Sequence, residues 1–293
     1  MAKRVSILLL AFCLCVTTSW AQNPEYVDTE AETVRRGALL NIGAEVEKKL
    51  AKGLNLGVEG EARFKEMTNF AKGVNHMERL ELGLKMTYKV CDYVRVGGGY
   101  AYRAYLKDGK ESTNWENYWS DRHVVHLEAT ASYKVSQWKF SLRLRPELTV
   151  RTDSINTLEK VRNFFELRTR LQAEYEFRSV PVEIFAYVEM FNTLNAINPN
   201  NTLSKVYAMH GAKNPGTYYC SWSGQYINDI RASVGVSYRF DKRNSLKVYY
   251  RFFHDIGRDI HLNKNYANNF KEFTVTRELE YNHMLGIGYS YSF

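Results

Sequence analysis

The chain has 293 residues, a formal net charge of +8 and a mean hydropathy of −0.43. That length fits one large domain or two small ones, and a modest charge without a clustered basic face does not point to nucleic acid. No apolar stretch reaches the roughly 20 residues of a membrane helix, yet the 21 Tyr against 5 Pro suggest β-structure with one wet face and one apolar face.

The first 21 residues read as a secretory signal peptide. Lys3 and Arg4 form a basic start, an apolar run from Val5 to Val16 follows, and Ser19-Trp20-Ala21 sets small residues at the two positions a signal peptidase reads. Cleavage is expected before Gln22. Removing Lys3 and Arg4 with the leader lowers the net charge from +8 to +6. Cys13 and Cys15 lack the small residues that precede a lipid-modified cysteine, so no lipoprotein is expected. Cys91 and Cys220 remain, and the topology read below puts them at opposite ends as two free thiols.

Residues 22–293 read as one repeated pattern. Apolar faces with a period of two begin at Leu40, Leu54, Leu80, Val94, Val125, Trp138, Phe165, Val182, Ile230, Leu246 and Leu285. A period of two is a strand, not a helix. None of the positions on these apolar faces is Asp, Glu, Lys or Arg, although 25% of the chain is charged. A lipid-facing wall imposes that exclusion, because Arg or Lys at the midplane costs about 2–4 kcal/mol. Eleven strands are legible, while bacterial single-chain barrels have even counts. A mature N-terminus starting in the periplasm needs one more strand, and Glu25–Val34 is the segment available for it. The expectation is therefore about 12 strands, within a range of roughly 10–12. Pro146 falls inside the sixth strand, removes a ladder donor, and is expected to mark a bulge.

The connections alternate in length. Short turns are expected at Lys49–Gly53, Cys91-Asp92, Ser136-Gln137, Arg178–Pro181 and Asp241–Asn244, and longer loops at Glu66–Asn75, Lys107–Asp121, Thr152–Lys160, Ala196–Gln225 and Gly257–Arg277. Outer-membrane barrels keep short turns in the periplasm and long loops outside. Tyr88, Tyr133, Trp138, Tyr175, Phe177, Tyr238, Phe240, Tyr291 and Phe293 all lie on the apolar parity near short turns or the C-terminus. Together they form a girdle at one membrane boundary.

The run MLGIGYSYSF, Met284–Phe293, resembles the C-terminal signal of outer-membrane barrels. The resemblance implies that the barrel-assembly machinery recognises the strand ending at Phe293. RLELGLKMTYKV (Arg79–Val90), KFSLRLRPELTV (Lys139–Val150), ELRTRLQAEYEF (Glu166–Phe177) and NSLKVYYRF (Asn244–Phe252) resemble the Bacteroidota-type barrel family called domain of unknown function 2490. That resemblance covers nearly all of the mature chain. It implies a barrel in the outer membrane of a Gram-negative bacterium and supplies no catalytic residues.

The inward face is rich in charge. Candidate lumen-lining residues are Arg79, Arg95, Arg103, Glu128, Arg143, Arg145, Glu166, Arg168, Arg170, Glu183, Glu189, Arg231, Arg239 and Arg251. They could be the selectivity lining of a narrow channel, or a polar plug of Arg–carboxylate pairs, since small barrels fill their interiors with side chains. The mixture of signs favours pairing. Arg143 and Arg145 beside Arg168 and Arg170 could give an open pore a weak anion preference.

A lipase-like enzyme would need a nucleophile and a base on the lipid-facing wall. His254 and His283 share that parity near the outer rim, but no outward position is a serine, so no enzyme is expected. His123 and His126 point to opposite faces and cannot share a metal, whereas His126 and Glu128 share the lumen face as a structural pair. Gly97-Gly98-Gly99 precedes no helix and reads as close packing inside the barrel, not a phosphate loop. Neither a cofactor nor a metal is called for. In the outer loops, Trp115, Trp119, Tyr218, Tyr219 and Trp222 are candidate binding aromatics or parts of a lid.

The sequence thus predicts an all-β, single antiparallel transmembrane β-barrel. Its expected partners are outer-membrane lipid, the assembly machinery and small solutes. The leading function is a narrow or gated pore, and the alternative is a closed structural or binding barrel acting through its extracellular loops.

Overall fold

The structure is a computed structural model that describes residues 30–65, 76–106, 119–152, 163–195, 217–220, 227–262 and 273–293. The expected leader lies outside the described residues. The described chain forms twelve strands: β1 (Glu30–Ala51), β2 (Leu54–Lys65), β3 (His76–Lys89), β4 (Val94–Leu106), β5 (Trp119–Val135), β6 (Trp138–Arg151), β7 (Asn163–Glu176), β8 (Val182–Thr193), β9 (Thr217–Cys220), β10 (Ile227–Arg239), β11 (Asn244–Leu262) and β12 (Phe273–Ser292).

Eleven of them close a ring. Strands β1 to β8 pair in sequence order, β8 pairs β10, then β11 and β12 follow, and β12 returns to β1. The four-residue β9 stands outside this ring and pairs only with Arg258–His261, at the far end of β11. All ring neighbours are antiparallel except β1 and β12, which run parallel. The expected count of 12 is therefore corrected to 11 around the ring. The described part of the supposed extra strand, Glu30–Val34, does not turn back. It runs straight into β1 and pairs with Thr276–Glu280 of β12, and a register shift between Arg35 and Ala38 absorbs the irregularity. The physical reason lies in the seam: continued pairing with β12 satisfies the backbone of this segment in one direction, and Gly37 suits the bulge that the shift requires. An odd count makes first and last strands co-directional, so β1 starts at the long-connection end.

Short turns appear where the alternation put them. Gly53 takes φ +81° in the β1–β2 turn, a left-handed conformation that suits glycine. In the β10–β11 turn, Asp241 accepts hydrogen bonds from the backbone N–H groups of Arg243 at 2.6 Å and Asn244 at 2.8 Å. These bonds hold its carboxyl below the usual carboxylate range. At the opposite end the strands run further than expected: β11 reaches Leu262, β12 begins at Phe273, and Asp121 is already in β5. The bulge expected at Pro146 is absent. Pro146 pairs with Leu167 in unbroken register, and the β5–β6 ladder keeps one register on either side of it.

Burial follows the alternation. In β3, Leu80, Leu82, Leu84, Met86 and Tyr88 are exposed on the outer wall, while Gly83 and Thr87 are buried. Among the described residues, 37 large apolar or aromatic side chains are exposed and only 11 hydrophobic residues are buried. This inverts the distribution of a water-soluble core. Near the short turns the outer wall carries aromatics in tilted and edge-to-face contact, with Trp138 4.9 Å from Tyr175, Tyr175 5.0 Å from Phe177, and Tyr238 5.1 Å from Phe240 between ring centres.

Two devices fasten the parallel seam. At the short-turn end, the Phe293 N–H donates to the Glu47 carbonyl at 3.0 Å and the Lys49 N–H donates to the Phe293 carbonyl at 3.1 Å. Inside, Tyr249 of β11 reaches across β12 to β1, where Asn41 Nδ2 donates to its hydroxyl at 2.8 Å. The ring lies over Gly286, where a Cβ would meet it at 2.1 Å. Tyr249→Phe should remove only the seam bond and cost about 1 kcal/mol. Gly286→Leu should displace the ring and cost more, about 1–3 kcal/mol. Urea unfolding of the refolded barrel measures both, and a Gly286→Leu variant as stable as wild type would contradict the crossing.

Candidate functional site

An eleven-strand ring is wider than the eight-strand barrels that side chains just fill and narrower than the porins that leave an aqueous channel. Its interior holds a cavity of about 500 Å³. One arc of the wall is ionic and the other aromatic.

The ionic arc runs from β2 to β8 as a chain of alternating charge. Glu61 pairs with Arg79, and Arg79 lies 3.5 Å from Glu81. Arg103 Nε donates to Glu81 at 2.8 Å, and its Nη1 donates to Glu147 at 2.8 Å. Glu147 also accepts from Arg168 at 3.1 Å and lies 3.4 Å from Arg145. Arg168 continues to Glu189 at 3.2 Å, and Glu189 takes two further bonds, from Arg143 at 2.7 Å and Arg170 at 2.9 Å. Glu147 and Glu189 are each 1% exposed, and each is shared by three arginines. A carboxylate that deeply placed needs such neutralisation, and the guanidinium fork can serve two partners at once. The chain crosses from β4 to β6 through the lumen, past β5, where His126 meets Arg145 Nη2 at 3.0 Å.

On the facing arc, Phe185, Tyr187, Tyr249 and Phe253 are buried with Leu39 and Met284. Small residues make the room: a Cβ on Gly235 would sit 2.5 Å from the Phe185 ring. These rings hold cations by their faces. Arg231 lies 3.9 Å from the Phe191 ring centre, Lys247 4.0 Å from Phe185, Arg170 4.1 Å from Tyr187, and Arg251 5.0 Å from Tyr249. Arg231 is also bonded to Asp229 at 2.6 Å.

Nine of the sequence candidates line the cavity: Arg79, Arg103, Arg143, Arg145, Glu166, Arg168, Arg170, Arg231 and Arg251. Glu189 sits behind them, holding three. Arg95, Glu128, Glu183 and Arg239 do not line the cavity; they lie toward the short-turn end, where Arg239 pairs with Glu176. The anion cluster expected at Arg143, Arg145, Arg168 and Arg170 is drawn together, but by Glu147 and Glu189, which neutralise much of it. His126 lies against Gly99 as well as Arg145, which accounts for the glycine run as close packing. On the outer wall, His283 bonds the Tyr250 hydroxyl at 2.6 Å and His254 stacks 4.7 Å from Tyr281. Trp115 and Trp222, and the side chains of Trp119, Tyr218 and Tyr219, lie outside the described residues. Cys91 is an exposed free thiol. Sequence reasoning missed the inward aromatic arc; its signal is large rings on the polar parity with glycines on the same face of neighbouring strands.

Glu147→Ala would leave three guanidiniums facing one another in a buried layer and should cost about 3–5 kcal/mol. Arg239→Ala, at an exposed pair, should cost about 1 kcal/mol or less. Urea unfolding of both variants checks the contrast, and similar costs would contradict the ionic chain as a structural element.

Among curated proteins, no sequence matches the chain. Among solved structures it is similar to the outer-membrane expressed OmpT of Vibrio cholerae, at 12% identity and a TM-score of 0.36, over 81% of this chain and 64% of that one. It is also similar to an anion-selective porin from Comamonas acidovorans, at 12% identity and a TM-score of 0.29, over 69% of this chain and 48% of that one. The chain thus spans less than two thirds of either protein's length. Residues 42–259, most of the chain, match the family described as Protein of unknown function (DUF2490). The chain belongs to that family.

Proposed function

We propose that this protein is an outer-membrane barrel of a Gram-negative bacterium that acts as a narrow, gated pore for small solutes. The observation that carries the reading is the inside-out distribution: an outer wall of exposed apolar side chains around a cavity of about 500 Å³ lined by charge. Lipid would cover the outer wall, and ring closure leaves no strand edge unpaired within it. The short turns would face the periplasm and the long connections the exterior. The barrel-assembly machinery would take the last strand, which ends at Phe293.

Gating follows from the ionic chain. Arg103 of β4 and Glu147 of β6 meet in front of β5 on the inner side of the ring, so widening the passage would require side chains of that layer to rearrange. The cavity wall carries twelve cationic and eight acidic side chains, which gives an open pore an anion preference. In this reading the chain performs no catalysis and uses no cofactor.

A second reading has one observation in its favour. Glu147 and Glu189, each buried and each held by three arginines, describe a layer built to stay closed. The barrel would then be a scaffold, and its outer connections, with Trp115, Trp119, Tyr218, Tyr219 and Trp222, would do the binding.

Single-channel recording of the refolded protein in a planar bilayer separates the two. A pore gives small reproducible steps absent from protein-free bilayers, with a reversal potential of anionic sign in a salt gradient. A correctly folded but silent barrel supports the scaffold instead, and cation preference would contradict the charge argument.

A further inference from the structure

The ionic chain holds six of the twelve cationic side chains in the cavity wall, and Arg231 is bonded to Asp229. Of the others, three lie against the aromatic arc. Arg251 and Lys247 of β11 and Arg63 of β2 line the cavity together. Among the described residues, Arg251 and Lys247 form no ion pair, and rings hold them instead: Phe185 for Lys247, and Tyr187, Tyr249 and Phe253 for Arg251. Arg63 lies 5.5 Å from the Phe253 ring centre. Among the described residues, its one carboxylate within ion-pair reach is Glu61 at 3.9 Å, which is already engaged by Arg79.

A ring face positions a guanidinium and leaves its charge in place. Arg63 Nε and Nη2 and Arg251 Nε are buried and have no hydrogen-bond partner in the protein; Nε is equally unmet on ion-paired arginines such as Arg79 and Arg168, but among the described residues a buried, unmet Nη is found at Arg63 alone, which is only 9% exposed. Buried donors of a charged group are costly to leave unmet. Beside them, the Tyr249 hydroxyl accepts from Asn41, so its own O–H remains free to donate. Donors, positive charge and flat apolar surface therefore converge on one side of the cavity.

We propose that this arc is a binding site for one small organic oxyanion, a carboxylate or phosphate ester with an aromatic or apolar portion. The oxyanion would take the edges of Arg63 and Arg251, the Lys247 ammonium and the Tyr249 hydroxyl. The apolar portion would lie against Tyr187 and Phe253. A cavity of about 500 Å³ is the size of a pocket for a single small molecule. The excess of cationic over acidic side chains in the wall favours an anion over a cation of the same shape. The site rests on the lumen being reachable by solutes, as the pore reading requires, but binding does not depend on conduction.

The test titrates the whole refolded barrel in detergent by calorimetry with benzoate and phenyl phosphate, with benzylamine as the cation of like shape. Saturable binding of one anion per barrel is expected, with no binding of benzylamine. The double variant Arg251→Gln, Lys247→Gln should bind at least tenfold more weakly. Lys242→Gln, which removes one charge from an exposed turn, should bind as wild type. Arg251→Lys keeps the charge and should retain most of the affinity, and heat-shifted gel mobility verifies that each variant is folded. No anion binding, equal binding of benzylamine, or a folded double variant with wild-type affinity would each overturn the site. A silent barrel that binds benzoate keeps the site and rejects the pore; a conducting barrel that binds neither anion does the reverse.

Discussion

The parallel pairing of β1 with β12 closes the ring, and without it two long strand edges would present unpaired N–H and C=O groups. In water such edges invite aggregation; in lipid they have no partner at all. The seam is long, running from Glu30↔Thr276 to Glu47↔Ser292 with one shift between Arg35 and Ala38. Parallel pairs are slightly weaker per residue than antiparallel ones, and reinforcement is concentrated here. The C-terminal Phe293 is bonded into β1 from one end, and Tyr249 spans β12 to reach Asn41 from inside. Gly286 exists at this level because any side chain there would occupy the space of the ring.

Ring size then dictates the interior. Eleven strands enclose more space than apolar side chains alone can fill, and the chain fills it in two ways. From β2 to β8, arginines and glutamates alternate so that each buried carboxylate is shared. Across from them, aromatics grow inward from β8 and β11 over glycines of β10 and β12. The two arcs meet where Arg168, Arg170 and Arg231 lie over Phe191 and Tyr187. A lumen built this way is charged and partly filled, with the ion pairs on one side of the cavity and the rings on the other.

Much of the barrel was legible in the sequence because its signals are local. The period of two, the missing charges on one parity, the short turns and the terminal aromatic strand each need only a few residues to be read. Ring closure is not local: whether Glu30–Val34 turns back or continues depends on β12, more than 200 residues away in the chain, and the parity rule for bacterial barrels pointed the wrong way. Pro146 misled for a related reason, since a missing donor can be absorbed by a gap in one ladder without a shift. The lumen arginines were legible as inward charges, but their partners were not, because Arg103–Glu147 and Arg143–Glu189 join strands that are not sequence neighbours. The inward rings at Phe185, Tyr187 and Tyr249 break the simple apolar-out, polar-in rule, and only the packing over Gly235 and Gly286 accounts for them.

In the proposed reading the exposed apolar wall would face lipid. Leu84 stands on that wall in the middle of β3 and is 52% exposed. The direct measurement is urea unfolding of Leu84→Arg folded into phospholipid bilayers. A loss of about 2–4 kcal/mol is expected, the cost of a cation at a lipid-facing midplane. A change within about 0.5 kcal/mol, as at an ordinary water-exposed position, would contradict it.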